Sequence, residues 1–139
     1  MYCKRKNSTN WQFPQGGIDK NEDIFDAALR ELYEEVGIDE NKIKLIKESD
    51  NWYKYDLPKK YKRNSFLWES FKGQKQKWFL FKLIEETKID LNNENNPEFD
   101  EFNWVDYWKP LDEIVEFKRE IYEKVLTELE PAYKSEFSK

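Results

Sequence analysis

Between Ile24 and Val36 the apolar residues recur at helical spacing. At about 100° per residue, Ile24, Phe25, Ala28, Leu29, Leu32 and Val36 form one arc, with Asp26, Arg30 and Tyr33 opposite. This predicts a helix over 22–36, with Asn21 as N-cap, Glu22 and Asp23 in the first turn, and Gly37 as the stop. Runs at 43–47 and 52–57 predict strands, the second ended by Pro58. The aromatic-rich run from Lys77 to Ile84 predicts a strand central in a sheet. Residues 90–101 read as a polar loop and 102–105 as a short strand. From Leu111 to Leu129 the spacing is helical, with a break near Glu116, whereas the segment to Gln12 is polar and weakly patterned. This order predicts an α+β fold, a mixed β-sheet with helices packed on it, in one domain spanning 1–139.

Composition narrows the function. Six Trp and 17% aromatic residues argue for a packed core despite 38% charge. A net charge of −5 gives no global positive field for nucleic acid. The single Cys3 excludes an intramolecular disulfide and fits a reducing compartment. No apolar run approaches the roughly 20 residues that cross a bilayer, and the sequence predicts a cytoplasmic protein with no membrane partner. With no His, a metal site must be built from oxygen ligands, which favours Mg²⁺ or Mn²⁺ over Zn²⁺.

One helical turn carries Glu31, Glu34 and Glu35, with Glu22 upstream. Like charges three and four apart repel by a few tenths of a kcal/mol per pair. A solvated face accounts for Glu34. It accounts badly for Glu35, whose direction falls between Ile24 and Ala28, and Glu31 lies at the edge of the same arc. A carboxylate aimed at the core boundary beside two others calls for a bound cation or a proton. Helix geometry alone leaves the metal and the solvated face both open. Gly16-Gly17 after Pro14 adds a tight loop running into a helix N-terminus, where backbone can approach a phosphate.

Gly16, five residues, Glu22, seven residues and then RELYEEVGI form a demanding pattern. It resembles the Nudix box at every fixed position from Gly16 to Ile38. WQFPQGG, GQKQKWFL, PEFDEFNWV and FKREIYEKV further resemble the bacterial RNA pyrophosphohydrolase branch, also described as dinucleoside polyphosphate hydrolases. The resemblance implies a Nudix fold, with a mixed sheet sandwiched between helices, and Mg²⁺- or Mn²⁺-dependent hydrolysis of phosphoanhydrides, with about two or three ions when substrate is bound. Glu31, Glu34, Glu35 and Glu98 are then the metal carboxylates, with the Gly16 carbonyl as a further ligand, Glu98 as base, Arg30 orienting the glutamates and Glu22 bracing the junction. Tyr55 and Phe117 would clamp the first base, with Val115 and Lys118 lining its pocket. Arg5, Lys75 and Lys77 would contact phosphates, and Lys59, Lys60, Lys62 and Arg63 form a basic patch that is either an RNA track or a solvated turn.

The expected substrate is thus the 5′-triphosphate or diphosphate end of RNA, cut to a monophosphate in mRNA decay. Free dinucleoside polyphosphates are the second reading, and a catalytically weak RNA- or partner-binding remnant the third. A monomer is expected, and the residues identify no protein activator. The resemblance also implies that a first N-terminal strand of the family precedes the position of Met1, so that the chain is shortened and a sheet edge exposed.

Overall fold

The computed structural model describes residues 1–55, 74–93, 96–114 and 116–137. Among the described residues, seven strands and two α-helices follow one another as β1 (Tyr2–Arg5), β2 (Trp11–Gln12), α1 (Ile24–Val36), β3 (Ile43–Glu48), β4 (Tyr53–Tyr55), β5 (Gln74–Gln76), β6 (Phe79–Leu83), β7 (Phe99–Asn103) and α2 (Glu116–Phe137). Short 3-10 turns at Glu40–Lys42 and Lys109–Asp112 precede β3 and α2. The α+β architecture is the expected one. Among the described residues its strands form three antiparallel sheets, ordered β2-β1-β7, β3-β6 and β4-β5.

Helix α1 starts later than its spacing predicts. Asp23, not Asn21, is the N-cap, and its Oδ2 accepts the Phe25 N–H at 3.0 Å and the Asp26 N–H at 3.3 Å. Asn21 sits at φ 66 in the preceding turn, which leaves Glu22 outside the helix for a different task. Gly37 ends the helix as expected, at φ 74, with its N–H on the Tyr33 carbonyl at 2.9 Å. A Cβ there would lie 2.9 Å from the Asp90 Cβ and 3.1 Å from the Asp90 nitrogen. Gly37→Ala is therefore expected to destabilise the fold by about 1–2 kcal/mol, read as a lower melting temperature. An unchanged melting temperature would exclude the strain.

The layers explain the apolar run at β6. Phe79 and Phe81 meet Phe25 of α1, with ring centroids 5.9 and 6.2 Å away, while Leu80 packs against Ile121, Val125 and Leu129 of α2. Period-two alternation thus sends both strand faces into apolar surroundings. The run was read as a strand central in a sheet, yet among the described residues β6 pairs with β3 alone. Contacts with helices on both faces leave its five residues half-buried.

Three other expectations change. The segment to Gln12 holds two strands, and Tyr2 and Cys3 are core residues. Strand β7 begins at Phe99, inside the predicted polar loop, because pairing with β1 needs no apolar alternation: only Phe99 of its five residues is buried. Helix α2 runs past Leu129 and through Pro131 to Phe137, with the predicted break before Glu116. Pro58 and the basic residues Lys59, Lys60, Lys62 and Arg63 lie outside the described residues.

Candidate active site

The loop before α1 is held from below by aromatic rings. Phe13 stands 5.5 Å from Tyr2, 5.6 Å from Trp78 and 5.1 Å from Tyr122, centroid to centroid. Its N–H donates to the Tyr122 hydroxyl at 3.2 Å. This ties the start of the glycine loop to α2 across more than a hundred residues, so no local pattern announces it. Gln15 continues the anchoring by accepting from Gln76 Nε2 of β5 at 3.2 Å.

Arg30 organises the junction that follows. Its Nε and Nη2 donate to the two Glu22 oxygens, each at 2.9 Å, and Nη2 also reaches the Gly17 carbonyl at 2.9 Å. Its Nη1 bonds Glu31 at 2.9 Å and Glu34 at 3.2 Å. Asp19, a partner not legible in the sequence, adds an ion pair at 3.6 Å and donates its N–H to Glu22 at 3.0 Å. One guanidinium thus offsets the repulsion among three glutamates while tying the loop to the helix. The Arg30 hydrogen bonds, followed by the Asp19 N–H, pull the Glu22 carboxyl down to about 2. Glu22 braces the junction, which is why it lies outside the helix.

Glu31 and Glu35 differ sharply. Burial raises the Glu31 carboxyl above its ordinary value; Arg30 opposes this, and the charges of Glu34 and Glu98 add to it. Glu98, distant in sequence and just before β7, therefore acts within the field of Glu31, its backbone fixed by the Lys6 N–H on its carbonyl at 2.8 Å. Glu35 is 1% exposed, as its position on the apolar arc predicts. Its charge also reaches Cys3, whose thiol burial pushes up to about 12.

The residues fit a hard divalent cation. Glu31, Glu34, Glu35 and Glu98 are all oxygen donors, and the Gly16 backbone lies against the Glu31 carboxylate: a Cβ on Gly16 would fall 1.9 Å from Glu31 Cδ. Among the described residues no three carboxylates stand together as a finished ligand set, and Glu31 and Glu34 share the Arg30 guanidinium. Gly16→Ala should push Glu31 aside and lower activity by about tenfold or more with little change in melting temperature. Full activity in that variant would show that the close approach is dispensable.

The predicted phosphate and base residues divide. Arg5 ends β1 opposite Phe99, next to Glu98, and its charge, after burial, lowers the Lys118 ammonium. Arg5 and Lys118 thus lie within reach of each other's charge. Lys75 and Lys77 lie over Trp52, at 4.7 and 5.6 Å from its ring centroid. Val115 and the side chains of Tyr55 and Phe117 lie outside the described residues.

A glycine loop braced by Arg30 against an acidic helix, set among antiparallel strands and two packed helices, defines a class of α+β domain. The NUDIX domain model matches residues 2–125. The chain belongs to the NUDIX domain family. It is 43% identical over 129 residues to the RNA pyrophosphohydrolase of Haemophilus ducreyi, covering 92% of this chain and 66% of that protein. With the RNA pyrophosphohydrolase of Actinobacillus pleuropneumoniae serotype 3 the identity is 45%, over 92% and 63%. With that of Aliivibrio fischeri MJ11 it is 44%, over 92% and 75%. The chain spans about two thirds of the length of the first two relatives. The fold is that of an Escherichia coli dihydroneopterin triphosphate pyrophosphohydrolase, at TM-score 0.67 and 20% identity, covering 91% of this chain and 84% of that one. A Caenorhabditis elegans Ap4A hydrolase is similar at TM-score 0.63 and 17% identity, over 94% and 86%. Among the described residues no helix is long and apolar enough to cross a membrane.

Proposed function

We propose that this chain hydrolyses phosphoanhydride bonds at the 5′-triphosphate or diphosphate end of RNA, leaving a 5′-monophosphate and exposing messages to decay. One observation carries the reading beyond the box itself. Arg5 ends β1 opposite Phe99, the residue after Glu98; its charge reaches Lys118, and the charge of Glu98 reaches Glu31, so cations and carboxylates share this end of the β1–β7 pair. A 5′-polyphosphate is an anion that cations placed near cation-holding carboxylates can bind. The RNA pyrophosphohydrolases at 43–45% identity support the same substrate.

When bound, Mg²⁺ or Mn²⁺, in about two or three copies with substrate, supplies charge neutralisation on the phosphate oxygens and an activated water. Glu31, Glu34 and Glu35, with the Gly16 carbonyl, would hold the cations; Arg30 keeps these side chains oriented. Glu98 would join the residues that hold the cations, and as base its carboxylate would take the proton of the attacking water. Arg5 and Lys118 bind phosphate oxygens. Tyr55 and Phe117 stack on the first base, with Val115 lining the pocket.

The test compares products from 5′-triphosphorylated RNA, 5′-diphosphorylated RNA and diadenosine tetraphosphate with Mg²⁺. Monophosphorylated RNA as the preferred product supports the proposal; cleavage of the dinucleotide alone sinks it. Phe117→Ala and Tyr55→Ala should each cost roughly 1–3 kcal/mol in RNA recognition, chiefly as a higher KM. If neither KM nor kcat moves on an RNA end, the base is held elsewhere.

A further inference from the structure

The hairpin formed by β4 and β5 carries charges that its own fold leaves poorly matched. Lys54 and Lys75 are direct cross-strand partners. Like charges in that position destabilise a ladder. Nearby acids are engaged elsewhere: Asp50 pairs with Lys47 at 3.0 Å and Glu48 lies 3.8 Å from Lys77. Among the described residues no carboxylate forms an ion pair with Lys54 or Lys75.

An aromatic ring sits in the same patch. Trp52 is 41% exposed, with the ammonium groups of Lys75 and Lys77 at 4.7 and 5.6 Å from its centroid. Tyr53, the residue between Trp52 and Lys54, is buried against α2 and donates to Glu128 at 2.5 Å. By strand alternation Trp52 and Lys54 therefore project from the opposite, outer face. A chain with a net charge of −5 thus concentrates a tryptophan and lysines on one hairpin face.

We infer that the outer face of the β4–β5 hairpin, with Trp52, Lys54 and Lys75, binds the single-stranded part of an RNA downstream of its 5′ end. Resting on the function proposed above, this assigns a second contact to the same substrate. A base stacks on the exposed indole and the backbone phosphates relieve the Lys54–Lys75 repulsion, the combination that grips single strands without sequence preference. The hairpin edge adjoins the catalytic loop: Gln76, beside Lys75 on β5 and on the inner face with Tyr53, bonds Gln15, one residue before Gly16.

The test uses a single-stranded RNA of about twelve nucleotides with a 5′-hydroxyl end. It has no anhydride, so binding is read apart from hydrolysis. Trp52→Ala and Lys54→Glu should each weaken binding by about fivefold or more, with the melting temperature unchanged in the first and unchanged or raised in the second, where a glutamate faces Lys75, and Trp52→Phe should retain most of the affinity. Lys54→Glu should also flatten the dependence of log K on log salt by roughly 0.7 or more. Wild-type affinity and salt slope in both variants overturn the inference, as does binding of wild type to phosphatidylserine vesicles but not to the oligonucleotide. Oligonucleotide binding by wild type without hydrolysis of 5′-triphosphorylated or diphosphorylated RNA would overturn the proposed function and leave this surface standing.

Discussion

Glu35→Gln is expected to lower turnover by at least about a hundredfold while the fold persists. The carboxylate is 1% exposed, on a helix whose neighbouring Val36 is fully buried, so the position cannot be written off as a solvated acid. Glutamine keeps the shape and removes the charge. The packing of α1 against β1, β6 and β7 should survive, and circular dichroism should match wild type. A cation held by Glu35 stabilises the folded chain through linkage, so Mg²⁺ should raise the melting temperature of wild type and raise that of the variant less. Wild-type turnover together with a full Mg²⁺ response would sink the assignment of Glu35 as a ligand.

Arg30→Ala should be comparably damaging, for a different reason. No ligand is removed; Glu22, Glu31 and Glu34 lose the guanidinium that orients them, and the Gly17 carbonyl loses its donor. Misplacing metal ligands by about 1 Å is enough for a loss of about a hundredfold. Arg30→Lys should rescue little, because an ammonium cannot bind Glu22 in a fork while reaching Glu31 and Glu34. The stability difference should also depend on pH. Glu22 is held at about 2 against an ordinary 4.5, so its contribution is complete above 4.5 and is lost as pH falls through the lower value. Glu31, raised by burial, gains from protonation in the variant once Arg30 no longer opposes that shift. Both effects narrow the melting-temperature gap between wild type and Arg30→Ala on acidification. A gap that widens toward low pH would exclude the Glu22–Arg30 fork as its origin.

By itself the sequence determined what depends on neighbours along one helix. The apolar arc of α1, the Gly37 stop and the burial of Glu35 follow from 100° steps, and the Arg30–Glu34 pair from one-turn spacing. The Nudix box was legible because loop, helix and ligands are contiguous there. The position of the N-cap was not, since Asn21, Glu22 and Asp23 are all acceptable near a helix start and only the fork to Arg30 draws Glu22 out. Tertiary structure alone decided the rest. Antiparallel pairing of β1 with β7 carries Glu98 toward Glu31 and sets Arg5 beside it, and α2 brings Lys118 up to Arg5. Phe13 finds Tyr122 and Trp78 only once sheet and helix have packed. Lys75 and Lys77 lie over Trp52 because hairpin register and strand alternation choose their face. Periodicity records which way a side chain points from its own element; which distant element it meets is settled by the pairing of strands and the docking of helices.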